Sequence, residues 1–116
     1  MEVHTLATRL RYVEDAHDAL GLTYRQIAAA VGADESTLHR WRSGESEPRS
    51  VFRSRMDALH EFQQELLDAV PPRAAREWLR TPVPALNGRP PLELLHEGRI
   101  ELLTRLLMRI NLGTST

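Results

Sequence analysis

The amino-acid sequence predicts an all-α fold, and three observations carry this prediction. Apolar residues recur every three or four positions, as they do from Leu6 to Leu20, which is the spacing of one helix face. Glycines and the Pro71-Pro72 pair separate these periodic stretches, as the ends of helices require. No stretch shows the period-two alternation between turns that marks a half-buried strand. We therefore expect a bundle of short helices.

Capping signals predict the bounds of the first three helices. The first is expected to end at Gly21, because glycine readily adopts the left-handed conformation that closes a helix. The run Thr23-Tyr24-Arg25-Gln26 has the pattern of a capping box and begins the second helix. That helix ends at Gly32, and Asp34 is a suitable N-cap for a third helix that stops near Gly44.

A long fourth helix is predicted after Pro48, with apolar residues on one face from Phe52 to Val70. It ends at Pro71-Pro72, because the residue before a proline is pushed out of helical geometry. We place a domain boundary there, between residues 1–70 and residues 71–116. The second domain is predicted to contain helices at residues 74–79, 92–96 and 99–110 and a turn-rich stretch at residues 81–91.

The composition bounds the class of protein. The 116 residues include 41% hydrophobic residues and carry a net charge of −1, which is typical of a globular protein and, as a total, argues against a strongly basic nucleic-acid binder. No apolar run approaches the roughly 20 residues that span a bilayer, and no signal-peptide pattern is present. We expect a cytoplasmic protein without a membrane partner. The absence of cysteine excludes disulfides and thiolate metal sites.

Nothing in the sequence indicates catalysis. The five histidines have no helical partner three or four positions away, so a helix-borne metal site is not indicated. Glu93 and Glu97 lie one turn apart, and a solvated helix face explains them better than acid–base chemistry. Gly88 and Gly98 are isolated turn signals rather than a phosphate-binding loop. We predict no enzyme activity, no catalytic residue, no metal and no cofactor.

A helix-turn-helix is predicted from the second and third helices. Ile27 and Ala28 face inward, a glycine turn follows at Gly32, and Leu38 and Trp41 pin the next helix. The residues that carry a family resemblance are Gln26-Ile27-Ala28, Val31-Gly32-Ala33, Ser36-Thr37-Leu38, Arg40-Trp41, Ser43-Gly44 and Pro48. Through them the segment resembles the lambda-repressor-like helix-turn-helix of Xre-type regulators.

This geometry predicts a DNA-binding surface. Five arginines and two glutamates lie between Arg40 and Arg55, a local charge of +3. Exposed side chains of the second helix of the pair would face DNA, and flanking arginines would contact the phosphate backbone. The predicted DNA contacts are Arg25, Ser36, Thr37, His39, Arg40, Arg42, Arg49 and Arg53. With so few arginines, recognition of an operator implies a dimer or a larger assembly.

Two acidic residues favour the opposite interpretation, a packing module that has lost its affinity for DNA. Asp34 and Glu35 stand at the front of the presumed recognition helix, where carboxylates repel phosphates. Both also have structural roles, since Asp34 caps the helix and Glu35 suits the positive end of its dipole. The sequence leaves both interpretations open.

The second half shows a series of elements in a fixed order. They are Trp78-Leu79, Pro82, the turn Leu86-Asn87-Gly88-Arg89-Pro90-Pro91, Leu94-Leu95, Gly98 and the apolar helix Leu106 to Ile110. By this order and spacing, residues 74–113 are similar to the C-terminal toxin-binding domain of the Xre/MbcA/ParS antitoxin family. Val83 and Pro90 depart from the asparagine and threonine that are common there. We expect the fold to survive both changes, whereas partner specificity is expected to change.

The last helix has a wide apolar stripe. It consists of Ile100, Leu102, Leu103, Leu106, Leu107 and Ile110, and so wide a stripe suits packing inside a small bundle. Met108 and Leu112 fall outside it, on the face of Glu101 and Arg105. Those two residues form either a small contact surface or the ordinary scatter of apolar residues on a protein surface. Trp78 likewise suits either the core or an interface.

The resemblance implies neutralisation by occlusion. Antitoxins of this family bind a RES-domain toxin or a related ADP-ribosyltransferase-like toxin that consumes NAD or transfers from it, and their C-terminal segment covers the substrate cleft. The toxin-binding residues implied here are Trp78, Arg89, Arg105, Met108, Arg109, Leu112, Gly113, Thr114, Ser115 and Thr116. The partners are then the cognate toxin and operator DNA, in a homodimer or a larger assembly with toxin, and the helix-turn-helix represses the operon.

Three functions therefore remain. The first is an antitoxin that binds both toxin and DNA. The second is a plain dimeric transcriptional repressor whose C-terminal half only dimerises. The third is a protein-interaction module with a vestigial helix-turn-helix. The identity of the toxin's reaction is beyond what the sequence indicates.

Overall fold

The computed structural model describes the backbone of residues 5–114 and the side chains of residues 5–110. These residues form seven α-helices and one short 3-10 helix. They are α1 (Leu6–Leu20), α2 (Tyr24–Val31), α3 (Glu35–Ser43), α4 (Ser50–Ala69), α5 (Pro72–Leu79), the 3-10 helix Pro84–Leu86, α6 (Pro91–His96) and α7 (Ile100–Thr114). The described residues contain no β-strand, and an isolated bridge joins Val83 to Arg89. The all-α prediction is confirmed.

Local hydrogen bonds begin and end the first three helices where the sequence predicts. Gly21 ends α1 in the left-handed conformation, at φ 67°. The Thr23 hydroxyl accepts from the Gln26 backbone at 3.0 Å, and the Gln26 side chain accepts from the Thr23 backbone at 2.9 Å. Asp34 caps α3 by accepting from the backbone nitrogen of Thr37 at 2.7 Å. These bonds satisfy backbone donors that a helix start leaves without partners.

Helices α2 and α3 form the predicted helix-turn-helix. Gly32 makes the turn between them at φ 84°. Ile27 and Ala28 are buried on α2, and Leu38 and Trp41 are buried on α3. Helix α2 packs against α1 and α4, and α3 packs against α2. Burying these side chains removes apolar surface from water and holds α3 at the surface of the bundle.

Helix α4 lies at the centre of the molecule. It packs against α1 on one side and α7 on the other, and its buried apolar residues are Met56, Leu59, Phe62 and Leu66. Buried residues from α1 through α7 belong to one continuous apolar cluster. The boundary at residue 70 remains a prediction about domain organisation, and the packing continues across it.

Arginines also join the two halves of the chain. Arg76 donates to the carbonyl of Ala19 at 3.1 Å, and Arg80 donates to the carbonyl of Gly21 at 3.3 Å. Both bonds bring α5 to the C-terminal end of α1, where orphan carbonyls and the helix dipole favour cations. Arg55 of α4 donates to the carbonyl of Gly98 at 2.5 Å, before α7 begins.

Three predictions about the second half differ from the structure. Helix α5 begins at Pro72 rather than at residue 74, because proline suits the first turn of a helix. Helix α7 continues to Thr114 instead of ending near Ile110. The prediction that Ile110 belongs to the core stripe was wrong, since Ile110 is 43% exposed. Packing against the bundle ends at Leu107, so the helix continues past its buried part.

Candidate functional site

The first turn of α3 presents hydroxyl groups that its N-cap orders. The Ser36 hydroxyl donates to the Asp34 carboxylate at 2.9 Å, and Arg40 donates to the Thr37 hydroxyl at 3.0 Å. Hydrogen bonds to Asp34, first of all from the Thr37 backbone, lower the pKa of its carboxyl group below the ordinary value. Asp34 therefore remains ionised and keeps a negative charge beside Ser36 at neutral pH.

The structure distributes the predicted DNA contacts of α3 over two adjoining depressions. One, of ≈410 Å³, is lined by Tyr24, Glu35, Ser36, Leu38, His39 and Arg42. The other, of ≈420 Å³, is lined by Thr37, Arg40, Trp41, Ser46, Glu47, Arg49 and Phe52. Both depressions have one wall on α3, and together they contain the predicted contact residues of this helix.

Arg42 differs from the open cation that the sequence predicts. Its guanidinium donates to the Glu14 carboxylate of α1 at 2.8 Å and lies 3.8 Å from the centre of the Tyr24 ring. The Tyr24 hydroxyl donates to the same carboxylate at 2.7 Å. An intramolecular ion pair with Glu14 and a cation–π contact with Tyr24 thus hold the Arg42 side chain.

These contacts change the titration of the groups involved. The hydrogen bond from Arg42 lowers the pKa of Glu14 below its ordinary value, more than burial raises it. The same carboxylate raises the pKa of the Tyr24 hydroxyl, which donates to it. The group therefore contains a carboxylate and a guanidinium that both stay charged near neutral pH.

The predicted phosphate clamps lie at different positions. Arg25 is exposed on α2, and Arg49 is exposed at the N-cap of α4. Arg53 is half-buried and donates to the carbonyl of Pro48 at 2.7 Å, so it braces the loop before α4. Arg55, part of the same basic stretch, pairs with Glu101 at 2.5 Å. Two of the five arginines of this stretch, Arg53 and Arg55, are therefore engaged within the protein, whereas Arg40, Arg42 and Arg49 are exposed.

Arg89 pairs with two glutamates of its own half of the chain. It donates to Glu93 at 3.1 Å and also to Glu97. These bonds raise the pKa of the guanidinium and lower that of Glu97. Together with the Val83–Arg89 bridge, they fasten the turn to α6. The prediction that Arg89 contacts a toxin stays a prediction, and its charge is matched locally.

Trp78 lies between the two interpretations that the sequence left open. It is half-buried on α5 and packs against the apolar cluster. Its neighbours Glu77 and Arg73 are exposed on the same helix and form a loose pair at 3.8 Å. Trp78 therefore contributes to the core and is also partly accessible at the surface.

The outer face of α7 combines charged and apolar side chains. Arg105 and Arg109 are exposed, and Met108 is 38% exposed. Beside them runs a shallow groove of ≈200 Å³ between α4 and α7, lined by Ala58, Glu61, Glu101, Thr104, Arg105 and Met108. The structure thus brings together three of the residues predicted to bind a toxin.

The predicted C-terminal tail is partly helical. The backbone of Leu112, Gly113 and Thr114 continues α7, which corrects the expectation of a tail beginning at residue 111. Ser115 and Thr116 lie outside the described residues.

Comparison with known proteins decides the family. The model of the antitoxin Xre/MbcA/ParS C-terminal toxin-binding domain matches residues 51–113, which is more than half of the chain. The chain belongs to the Xre/MbcA/ParS antitoxin family. The match begins within α4, so α4 is part of the family domain as well as of the N-terminal bundle. A homeodomain-like domain model matches residues 4–47, which confirms a helix-turn-helix fold in the N-terminal half.

Curated relatives of this family member are named as antitoxins. The mycobacterial cidal antitoxin MbcA of Mycobacterium tuberculosis and that of Mycobacterium bovis are each 28% identical over 107 residues, which is 92% of both chains. A probable mycobacterial cidal antitoxin of M. tuberculosis is 28% identical over 89 residues, covering 77% of this chain and 76% of that protein.

A solved structure shares the fold. A chain in the crystal structure of the M. tuberculosis MbcT–MbcA toxin–antitoxin complex superposes with a TM-score of 0.68 and 26% identity. The similarity covers 90% of this family member and 94% of that chain. It therefore includes the helix-turn-helix and the C-terminal helices together.

Two searches of the described residues bear on other classes of site. No helix in residues 5–114 is long and apolar enough to cross a membrane. Among the described side chains, no group of three His, Cys, Asp or Glu residues is placed to hold a metal ion.

Sequence reasoning missed Glu14 and Tyr24 as parts of the α3 surface. Glu14 lies 28 positions before its partner Arg42, so no helical spacing connects them. A carboxylate on the polar side of α1 was the only signal available, and many such residues lie on solvated faces. The bonds of Arg76 and Arg80 to α1 were missed for the same reason, because their partners are 57 and 59 positions away.

Proposed function

We propose that this family member is the antitoxin of a toxin–antitoxin pair. It neutralises a RES-type, NAD-consuming toxin by covering the active site of that toxin with its C-terminal segment. The observation that supports this proposal is its similarity, over nearly the whole chain, to a chain solved in a complex named for a toxin and an antitoxin. The toxin-binding domain model of the family covers α4 to α7, which supports the C-terminal half as the part that binds the toxin.

The outer face of α7 is the surface that we propose for the toxin. Methionine and arginine are both enriched at protein interfaces, and Arg105, Met108 and Arg109 are exposed together there. The chain continues directly from this face into residues 111–116. Arginines at the rim pair with acidic toxin residues, while the small uncharged end of the chain enters the nucleotide pocket. Trp78 and Arg89 remain proposed as further toxin contacts.

The helix-turn-helix is proposed to repress the operon. The exposed side chains of Ser36, His39 and Arg40 lie on one surface of α3, which suits contacts with base edges and phosphates. The acidic residues Asp34 and Glu35 on the same surface reduce its affinity for DNA. Binding by a single copy is therefore weak, and a dimer or a larger toxin-bound assembly supplies the second half-site.

Co-expression with the product of the adjacent gene tests the antitoxin proposal. The neighbour alone is expected to arrest growth and deplete NAD, and the full chain is expected to prevent both effects. A chain truncated after Ile110 is expected to fold, since its buried residues end at Leu107, but to leave NAD depleted. Full protection by the truncated chain would show that the C-terminal segment does not cover the active site.

Point variants localise the contact. Arg109→Glu and Met108→Asp are expected to weaken co-purification with the toxin at least tenfold, because a reversed or buried charge opposes binding at an interface. Arg73→Glu is the matched control, since Arg73 is exposed on α5 away from α7 and has only a loose partner. Equal losses in Arg73→Glu and Arg109→Glu would place the contact elsewhere.

A mobility shift on the sequence upstream of the gene tests repression. Specific binding is expected to be tighter than binding to random DNA and to weaken linearly with the logarithm of salt concentration. A chain that binds this DNA while its neighbour is harmless and does not co-purify would be a plain dimeric repressor. A chain that neutralises the neighbour without binding DNA would be a pure interaction module.

A further inference from the structure

The strongest unassigned feature is the cluster of Glu14, Tyr24 and Arg42, which joins three helices on the predicted DNA face. Glu14 accepts from the Arg42 Nε at 2.8 Å, from its Nη2 at 3.4 Å and from the Tyr24 hydroxyl at 2.7 Å. Both oxygens of the carboxylate are therefore engaged, and the pair has the two-bond geometry that suits a guanidinium. Glu14 is the shared acceptor of groups on α2 and α3.

The Tyr24 ring fixes the same guanidinium from a second direction. Arg42 lies 3.8 Å from the ring centre, and the His17 ring stacks on Tyr24 with 4.3 Å between centres and an angle of 15°. His17 and Arg42 therefore both pack on the Tyr24 ring. His17 is itself tied by Nδ1 to the carbonyl of Leu22 at 2.8 Å. The ring is thus a rigid platform for Arg42.

The position of Arg42 makes this arrangement relevant to DNA. Arg42 lines the same ≈410 Å³ depression as Ser36 and His39, so its guanidinium stands where a phosphate contact is expected. A guanidinium that already pairs with a carboxylate must give up that partner before it can neutralise a phosphate. Both side chains are partly exposed, Arg42 at 30% and Glu14 at 41%, so the ion pair lies at the surface that DNA would approach.

We propose that Glu14 withholds Arg42 from DNA phosphates, so that Arg42 positions α3 on α1 and α2 instead of contacting DNA. The ion pair between Glu14 and Arg42 then makes the affinity of the helix-turn-helix for DNA lower than it would be with Arg42 free to bind a phosphate. This proposal rests on the DNA binding proposed above, and it adds a specific carboxylate that limits such binding.

The test counts phosphate contacts from the salt dependence of binding. A labelled random-sequence duplex serves as the probe, because its phosphates supply the sequence-independent part of the affinity. Each neutralised phosphate contributes about 0.9 to the slope of log K against log salt concentration. The slope is measured for the full-length protein and for Glu14→Gln, Arg42→Gln and the double variant. Asp18→Asn is the matched control, since it removes one negative charge from the next turn of α1.

The expected pattern is specific. Arg42→Gln leaves the slope of the unmodified protein unchanged, because Arg42 is withheld. Glu14→Gln steepens the slope by about 0.9, which corresponds to one additional phosphate contact. The double variant loses this gain, and Asp18→Asn does not show it. A purely structural role for Glu14 would lower the melting temperature without adding a phosphate contact.

Three results would overturn the proposal. The first is a lower slope in Arg42→Gln alone, which would mean that Arg42 already contacts phosphate. The second is an equal effect of Glu14→Gln and Asp18→Asn, which would reduce the role of Glu14 to its net charge. The third is the absence of salt-dependent binding by Glu14→Gln. If random DNA gives the expected slopes while the upstream DNA binds no more tightly, operator recognition fails and the role of Glu14 stands.

Discussion

At the scale of single residues, the partners of a charged side chain decide what it is able to contact. Arg40, Arg42 and Arg53 look alike in the sequence. In the structure they donate to a hydroxyl, a carboxylate and a backbone carbonyl respectively. Their charges could be predicted, but their partners could not, because Glu14 is brought to Arg42 only by the packing of α1 on α2 and α4. The positions of these arginines could therefore be predicted and their intramolecular partners could not, while their contacts with DNA remain a prediction.

Acidification is expected to break the link between Glu14 and Arg42. The pKa of Glu14 is lower in the folded chain than in the unfolded chain. Its contribution to stability is therefore present above the unfolded value, about 4.3, and is lost as the pH falls through the lower folded value. Because both side chains are partly exposed, the contribution is roughly 0.2 to 1 kcal/mol.

Thermal unfolding of Glu14→Gln and the unmodified protein across pH 7 to about pH 3 measures this effect. The unmodified protein is expected to be the more stable of the two at neutral pH, and the difference is expected to shrink towards zero in acid. A difference that stays constant down to the most acidic pH would mean that ionisation of Glu14 does not stabilise the fold.

Gln63 offers a prediction in the opposite direction. Its side chain is buried on α4 at 4% exposure, and among the described residues its Oε1 has no hydrogen-bond partner. A buried acceptor without a partner is destabilising. Gln63→Met keeps the shape and is expected to raise the free energy of unfolding by on the order of 1 kcal/mol.

The neighbouring Gln64 provides the control for this substitution. Gln64 is exposed on the same helix, so Gln64→Met is expected to change stability by less than about 0.5 kcal/mol. Denaturant unfolding of both variants makes the comparison. A clear loss of stability in Gln63→Met would reveal a polar partner for the buried amide.

At the scale of helices, ends were predictable wherever a local capping signal existed. The capping residues form their hydrogen bonds within a few positions along the chain, so the helix ends at Gly21, the Thr23–Gln26 box and Asp34 could be predicted from the sequence. The end of α7 has no such signal before Gly113. The apolar stripe did not predict the end of α7, because the helix continues beyond the residues that pack on α4.

The end of α1 supplies a test at this scale. Gly21→Ala puts a side chain on a residue at φ 67°, and its Cβ would lie 2.9 Å from the Cδ of Arg76. A left-handed alanine costs about 1 to 2 kcal/mol, and displacing Arg76 also disturbs its bond to Ala19. Gly44→Ala has a similar φ of 83° but nothing within 4 Å of its Cβ.

Both variants are expected to be less stable, and Gly21→Ala the more so, in denaturant unfolding. The difference between them measures the contact between α1 and α5. Equal losses would show that Arg76 moves aside without consequence, and that α5 does not depend on this bond.

At the scale of the whole molecule, the two regions of the chain that match the two domain models share a single hydrophobic core. Leu38 on α3 and Leu103 on α7 are both fully buried in the same apolar cluster. A domain boundary was predicted from Pro71-Pro72, which do end a helix. A helix-terminating proline pair does not reveal whether the two halves of the chain share a core, because that depends on which apolar helix faces pack against each other.

A shared core predicts one unfolding transition. Leu103→Ala is expected to cost about 2 to 5 kcal/mol and to lower the unfolding midpoint reported by Trp41 as much as that reported by helical circular dichroism. The measurement uses a Trp78→Phe background, so that fluorescence reports on α3 alone. Two separate transitions, with the Trp41 midpoint unchanged, would support independent domains at residues 1–70 and 71–116.

The central place of α4 has a consequence for turnover in the cell. A partner that binds the folded protein on α7 adds its binding energy to the stability of everything that unfolds with α7, about 2.7 kcal/mol at a hundredfold excess over Kd. Proteases act on the opened chain, whose population falls by the same factor. A partner bound to α7 is therefore expected to lengthen the lifetime of the helix-turn-helix as well. Partner-bound molecules would be degraded more slowly than free ones, without any change in conformation.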